Sequence, residues 1–403
     1  MLTRTVPGLV AIAASLGLGC GSKSAGPSDA PDAAGLPQVV DQGGPKLNVP
    51  RIVTVTWADD DAGAVMRDFD HKIGASKYWK ETTAEYGIGP AVSDDVILQT
   101  APPAAWDDTQ IDPWVQTNAT SSSSGWPQPD GETMYVVYLP ASVKLTTMGQ
   151  DACQAYGGYH TDLGGNPDVS YALIPESCWV GTGFSLIDNA TSSAAHEIVE
   201  AATDPFPNES PAMLGYDGNH VAWELWTQWQ DELADACEFR SDTYYREGAD
   251  LPYMVARIWS NAAAAAEMDP CAPVIGLPYF DVEPQGLQDL SVQAVGSDGK
   301  TVAGFSPKGW HISPGQTQTV SVVLEGVSPT TTWGVVATEG DCCTNPAGLL
   351  TITPSQFTGH SGDVMQVSIT VHAAPKIGTA IMMTFASQDN GTTHLRPAVI
   401  GAY

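Results

Sequence analysis

Positive charge is what this sequence has least of. Sixteen Lys and Arg stand against 46 Asp and Glu in 403 residues, a formal net charge of −30. Phosphate backbones are gripped by Lys and Arg, so nucleic acid is excluded as a partner. Long apolar runs are scarce as well. Residues 6–19 form one, but it is shorter than the ~20 apolar residues a spanning helix needs, and nothing later is longer. Cysteine is limited to seven, none with C-x-x-C spacing, which excludes a thiolate zinc site and leaves structural bridges.

What is there begins with an export signal. Residues 1–20 carry an early Arg4, an apolar stretch and then Leu16-Gly17-Leu18-Gly19-Cys20, which resembles a bacterial lipobox whose cysteine takes the lipid. The expected location is therefore outside the cytoplasm, as a cell-surface or outer-membrane lipoprotein held only by its anchor, or as a secreted protein. Residues 21–48 are rich in Ser, Ala, Pro, Gly and Asp with no hydrophobic period, and read as a flexible tether. With Cys20 on lipid, six cysteines remain. Proximity favours Cys153 with Cys178 and Cys237 with Cys271, and leaves the adjacent Cys342 and Cys343 without an assigned connectivity.

Two textures follow. Across 49–272, β-rich runs such as Arg51-Ile52-Val53-Thr54-Val55-Thr56-Trp57 alternate with helical periods, as at Val65, Met66, Phe69 and Ile73. The apolar runs at 134–139 and 169–174 are continuous, as sheet interior covered on both faces requires. The expected class there is α/β with a mixed sheet. Across 277–403 the period falls to two: Met365, Val367, Ile369 and Val371 alternate with Gln366, Ser368 and Thr370, and Asp389-Asn390-Gly391 marks a turn. That predicts an all-β sandwich of immunoglobulin-like type.

The stretch with chemistry is Ser192-Ser193-Ala194-Ala195-His196-Glu197-Ile198-Val199-Glu200-Ala201-Ala202-Thr203-Asp204-Pro205. Its polar start and its proline end predict a short helix of about three turns. Residues four apart share a helix face, so His196 and Glu200 present paired donors, and Glu197 sits about 100° round, within reach of what they hold. This is the spacing of the H-E-x-x-H zinc helix with glutamate for the second histidine, and a carboxylate is an acceptable zinc ligand. A second acidic cluster, Asp231-Glu232-Leu233-Ala234-Asp235-Ala236-Cys237, supplies the third donor from Glu232 or Asp235. His160, in a glycine-loosened loop, is a further candidate ligand or proton donor. His220 and Glu224 offer a lower-ranked pair, and Trp223, Trp226 and Trp229 a stripe more typical of a core than of a sugar platform.

The order Tyr159-His160, then His196-Glu197-x-x-Glu200-x-x-Thr203-Asp204-Pro205, then Glu232-x-x-Asp235-x-Cys237 and Trp259-Ser260-Asn261 resembles a set of secreted bacterial and fungal zincin-like proteins of the HExxE type. More distantly it is similar to plant phosphate-induced, EXORDIUM-type cell-surface proteins. The resemblance covers roughly 49–271 and implies a zincin-like mixed sheet with an active-site helix. It also implies that the acid-x-x-acid-x-Cys element faces that helix, with Glu232 the favoured third ligand and Asp235 its neighbour or substitute.

Two functions compete at this point. One is a zinc-dependent peptidase acting on a peptide or protein, with His196, Glu200 and Glu232 on Zn²⁺ and Glu197 as general base. The other is a non-catalytic adhesion or signalling module around a structural metal, Zn²⁺ or Ca²⁺, since oxygen donors suit calcium and imidazole suits zinc. The oligomeric state is not written in the sequence.

Overall fold

The computed structural model describes residues 35–147, 149–166, 168–178, 183–227, 231–238, 240–273, 279–295, 301–326, 331–340, 348–375 and 378–403. The expected signal and lipidation site at Cys20, Trp229, and the Cys342-Cys343 pair lie outside them.

A five-stranded sheet organises the first part. Its spatial order is Val92–Leu98, Arg51–Trp57, Thr133–Leu139, Ser170–Pro175, Tyr159–Asp162. The first four strands run parallel, and Tyr159–Asp162 closes the edge antiparallel to Ser170–Pro175. The alternation of side chains along these strands feeds two cores, one per face. Ile52, Met134, Val136, Tyr138, Ala172 and Ile174 enter the core shared with the helix Leu186–Thr203. Val53, Val55, Tyr135, Val137, Tyr171 and Leu173 turn the other way, onto Trp106, Ile111, Val115 and Trp126. That double covering is why Thr133–Leu139 reads as an unbroken apolar run.

The helix Leu186–Thr203 is longer than the three turns expected: it has eighteen residues and starts at a capping box. Ser185 accepts from the amide of Asp188, whose side chain accepts in return from Ser185. The polar residues that suggested a later start are interior, and Ser192 donates back to the Asn189 carbonyl. The helix stops at Asp204, whose backbone leaves the helical region ahead of Pro205.

In the C-terminal part, a four-stranded sheet (Phe280–Pro284, Thr317–Gly326, Val364–Val371, Leu350–Thr353) and a six-stranded one share a single core. The central strands of the larger sheet are Thr392–Gly401, Ala380–Asp389 and Thr332–Glu339. Contact with the first part runs through Ala222, Leu290, Val292, Met382 and Val399. Arg396 adds one polar tie, donating to the carbonyl of Gly35 while Asp281 of its own part holds the guanidinium.

Two expectations need correction. The fold class, a zincin-like α/β domain ahead of an immunoglobulin-like sandwich, does not describe this chain, which is mostly β-sheet: the described residues hold 26 strands in eight sheets. Many of those strands are two to four residues long, such as Met213–Tyr216, Ile258–Trp259 and Cys271–Ala272, too short to carry a period in the sequence. The tether is likewise too long as drawn. From residue 35 the chain packs: Val39–Asp41 pairs with Met213–Tyr216, and Leu36, Val39 and Leu47 are buried. Asn261 clamps Val39 through both its amide and its carbonyl. Three apolar residues spread over a dozen positions show no period, so the sequence alone hides this strand.

Candidate metal centre

The helix Leu186–Thr203 carries His196, Glu197 and Glu200, all buried. Glu200 is fixed first. Its Oε1 accepts the amides of Ala234 (3.0 Å) and Asp235 (3.2 Å), so the carboxylate caps the start of the short helix Asp235–Glu238. Its Oε2 is left 3.1 Å from His196 Nε2. The same capping brings Asp235 inward, with Oδ1 3.4 Å from His196 Nε2. Donor atoms of His196, Glu200 and Asp235 thus lie within 4.8 Å of one another, a spacing a single cation can bridge.

Glu232 turns elsewhere. The residue expected as third ligand has its Oε1 3.2 Å from His160 Nε2, and it is Asp235 that stands beside His196. His160 reaches the cluster from the edge strand Tyr159–Asp162. Its Nε2 is also 3.2 Å from the carbonyl of Asp204, and its Nδ1 lies 3.5 Å from Glu197 and 3.7 Å from Glu200. His160, Glu197 and Glu200 form a second triad within 4.8 Å, so Glu200 belongs to both. The carbonyl of Asp204 is free for His160 because the helix has ended there.

Electrostatically the site is an acid cluster short of counter-charge. Burial pushes Glu200 up to about 7, with Asp235 adding to the shift and His196 opposing it. Burial raises Glu232 well above the usual carboxylate range, and does the same to Asp231 beside Glu224 and Asp235. Burial alone would lower both histidines. Glu232 and Glu197 around His160, and Glu200 and Asp235 around His196, more than offset it and hold each ring well above its ordinary value. Among the described residues, no Lys or Arg pairs with Glu197, Glu200, Glu232 or Asp235. Asp235 Oδ1, Glu232 Oε1 and Asp204 Oδ2 are buried without a hydrogen-bond donor. Buried carboxylate oxygens left this way are costly unless a cation or a proton meets them.

Room for Glu197 comes from a missing side chain: a Cβ on Gly158 would lie 3.2 Å from Glu197 Cγ and Oε1 and from Ile174 Cδ1. Sequence reasoning did not single out Gly158 or the Asp204 carbonyl. The proline after Asp204 was the available signal for the second. The other sequence candidates stay outside. His220 is held by Asp217 at 2.8 Å, and Glu224 accepts the amide of Tyr216. Trp223 packs against Trp226 and Trp259 in the core, as a stripe of that spacing usually does. Cys153 is joined to Cys178, and Cys237 to Cys271; the second bond ties the segment bearing Asp235 to the strand Cys271–Ala272.

No protein-family model matches the sequence, and no curated protein matches it. Among solved structures, the chain is similar to the periplasmic chaperone SfaE at 9% identity and TM-score 0.19, over 22% of this chain and 50% of that one. It is similar to the E. coli chaperone DraB at 8% identity and TM-score 0.20, over 30% and 54% of the two chains. A PapD-like domain of human CEP192 aligns at 13% identity and TM-score 0.18, over 24% and 82%. The chain spans about half the length of SfaE and DraB, and at these scores none of the three bears on its function.

Proposed function

We propose that this protein is an exported metal-dependent hydrolase of the HExxE metallopeptidase kind, cutting a peptide or protein substrate. The observation that carries this reading is the triad His196, Glu200 and Asp235, three donors from two segments within 4.8 Å, one of them a buried carboxylate oxygen with no hydrogen-bond donor. These residues fit a divalent cation. An imidazole among the donors favours zinc, and the surplus of carboxylate oxygens keeps calcium as the alternative. A bound zinc ion would supply an acidified water and polarise a peptide carbonyl.

The chain's own residues do the rest. Glu197, next to the donors and largely shielded from solvent, takes the proton from the attacking water and delivers it to the leaving amine. Glu200 is held rigid by two backbone amides, so the donor set is preorganised. Two carboxylate donors would leave a bound zinc a weaker Lewis acid than two imidazoles would, and slow turnover is the expected consequence. The two disulfides support an oxidising compartment outside the cytoplasm.

The depth of the cluster favours a second reading, a non-catalytic surface module in which the cation is structural, because every side chain of the triad is at least 94% buried. Metal analysis of purified protein beside peptide hydrolysis by wild type and Glu197→Gln decides between them. The hydrolase reading expects zinc in both proteins and loss of hydrolysis only in the variant. Zinc or calcium without hydrolysis in wild type supports the structural reading, and protein that binds neither metal overturns both.

A further inference from the structure

We propose that the cavity between the two parts of the chain is a binding site for a neutral, hydroxyl-bearing ligand, a sugar ring or a small polyol. The inference does not use the metal cluster and goes beyond the hydrolase reading. The cavity is partly open to solvent, with an empty volume of about 330 Å³ including that open part. Its walls include Trp223, Trp226, Arg240 and Trp259 from the first part and Tyr279 and His394 from the second. The volume lies at the lower end of the range for ligand pockets, so one ring or a short chain is what fits.

Two of these side chains keep a buried polar atom unmet. Trp259 is 2% exposed and His394 4%, and among the described residues neither Trp259 Nε1 nor His394 Nε2 has a hydrogen-bond partner. An indole N–H can only donate. The imidazole is oriented by its other nitrogen: Nδ1 lies 2.7 Å from the carbonyl of Phe280, which can only accept, so Nδ1 carries the hydrogen. Burial and the neighbouring Arg240 guanidinium hold His394 below its ordinary value, so the ring is neutral and Nε2 is an acceptor. Asp269 does not supply the missing partner. Its Oδ2 is 3.9 Å from Nε2, beyond hydrogen-bond reach, and its carboxylate is already taken by Arg240 and by the amide of Cys271. Folded proteins rarely leave a buried donor and a buried acceptor unmet, and here both belong to the walls of one cavity. A hydroxyl compound offers each of them its complement.

The remaining walls set charge and shape. Arg240 divides its guanidinium between Asp242 and Asp269, so it offers an anion no free charge. Neither unmet atom is charged, and a charged ligand would give up its hydration here without a counter-ion. Tyr279 commits its hydroxyl to Asp281 at 2.8 Å and presents a ring, stacked on His394 at 4.7 Å between centroids. With Trp223 and Trp226 packed edge to face at 5.8 Å, the walls are aromatic surface suited to the C–H face of a sugar or the carbon chain of a polyol.

The test is binding of D-glucose, D-galactose, D-mannose and glycerol to the full chain, followed by saturation-transfer NMR of each compound, with circular dichroism as the check on folding. Wild type is expected to bind at least one of the four. Trp259→Phe keeps a ring in place and removes the N–H, and is expected to weaken that binding about tenfold, the worth of one hydrogen bond. His394→Gln removes the ring acceptor while keeping a donor for the Phe280 carbonyl. A comparable loss is expected, and this variant carries the test if Trp259→Phe fails to fold. Hexose binding with that loss identifies a sugar site, and glycerol binding alone with that loss identifies a site for a small polyol. Binding of equal strength in wild type and both variants places the ligand elsewhere and overturns the proposal. So does the absence of binding by all four up to about 0.1 M, which would mean that the cavity holds water only. Metal content enters none of these outcomes, so the hydrolase reading stands or falls separately.

Discussion

Asp70 offers the sharpest quantitative test of the scaffold under the site. It lies on the helix Gly63–Ile73, fully buried, and accepts the hydroxyls of Thr54 (2.7 Å) and Tyr138 (2.6 Å) from two central strands of the five-stranded sheet. Burial raises its pKa from 3.8 to about 7, against the opposing pull of those two hydroxyls. An acid raised on folding keeps its proton in the native state where the unfolded chain has released it. Stability therefore falls as pH climbs from about 4 to about 7, and is flat above. The slope is about 1.4 kcal/mol per pH unit, so the whole window is worth on the order of 4 kcal/mol. Asp70→Asn cannot ionise, and its amide can still partner the two hydroxyls, so the variant loses this slope. Urea unfolding of both proteins from pH 4.5 to 8 measures it, with wild type expected to lose stability relative to the variant up to about pH 7 and to run parallel beyond. Parallel curves across the whole range would mean that Asp70 is ionised in the fold, and the assignment of its buried proton would be wrong.

Other perturbations address the site. Gly158→Ala places a methyl 3.2 Å from Glu197, and displacement of a proton-transfer group by up to ~1 Å costs up to about 100-fold in rate; hydrolysis should fall 10- to 100-fold with zinc content unchanged. Replacing Cys237 and Cys271 by alanine frees the segment that presents Asp235; a fall of about 3 kcal/mol in stability and a loss of zinc affinity are expected, measured by denaturant melts and competition with a chromophoric chelator. Removing metal with a chelator should lower the melting temperature by roughly 8–16 °C, taking ~4 kcal/mol of linkage at a thousandfold excess over Kd and 2–4 °C per kcal/mol. An unchanged melt after complete metal removal would show that the cluster folds on protons alone.

How much of this was legible in the sequence follows from the length scale of each feature. Strands with one face in the core and one in solvent declare themselves: Val364–Val371 alternates as its period of two predicts. Thr133–Leu139 is equally visible because both its faces are covered. The short pairings are not, and neither is the packing of residues 35–48, because two to four residues hold no period and their pairing partner lies more than 170 positions away. The start of the long helix was misplaced because Asn189, Thr191 and Ser192 look like caps in sequence, whereas the reciprocal Ser185–Asp188 pair does the capping. Within the site, spacing alone put His196 and Glu200 on one face. The choice between Glu232 and Asp235 could not be made that way: they are three residues apart, and the decision belongs to the amide contacts with Glu200, which aim one inward and leave the other to His160. His160 was visible only as a lone histidine beside loosening glycines, expected in a loop; it stands on the edge strand Tyr159–Asp162, and tertiary packing is what brings it to the cluster.

A donor set assembled from independent segments would have each ligand's position set by its own element. Here the carboxylate that faces the two histidines also terminates the segment that delivers the next donor, so Glu200 couples the long helix to the Asp235–Glu238 turn through one side chain. The disulfide from Cys237 to Cys271 then fixes that turn from its far side, and the Asp204 carbonyl, freed by the end of the same long helix, sets the ring of His160. Two elements meeting at the cluster, the Asp235–Glu238 turn and the edge strand bearing His160, are thus oriented by atoms of the helix Leu186–Thr203 or its immediate end, through hydrogen bonds made within the chain itself. Preorganisation of this kind holds together a concentration of buried acid that would otherwise drive the segments apart, because backbone amides fix the carboxylates of Glu200 and Asp235 in place.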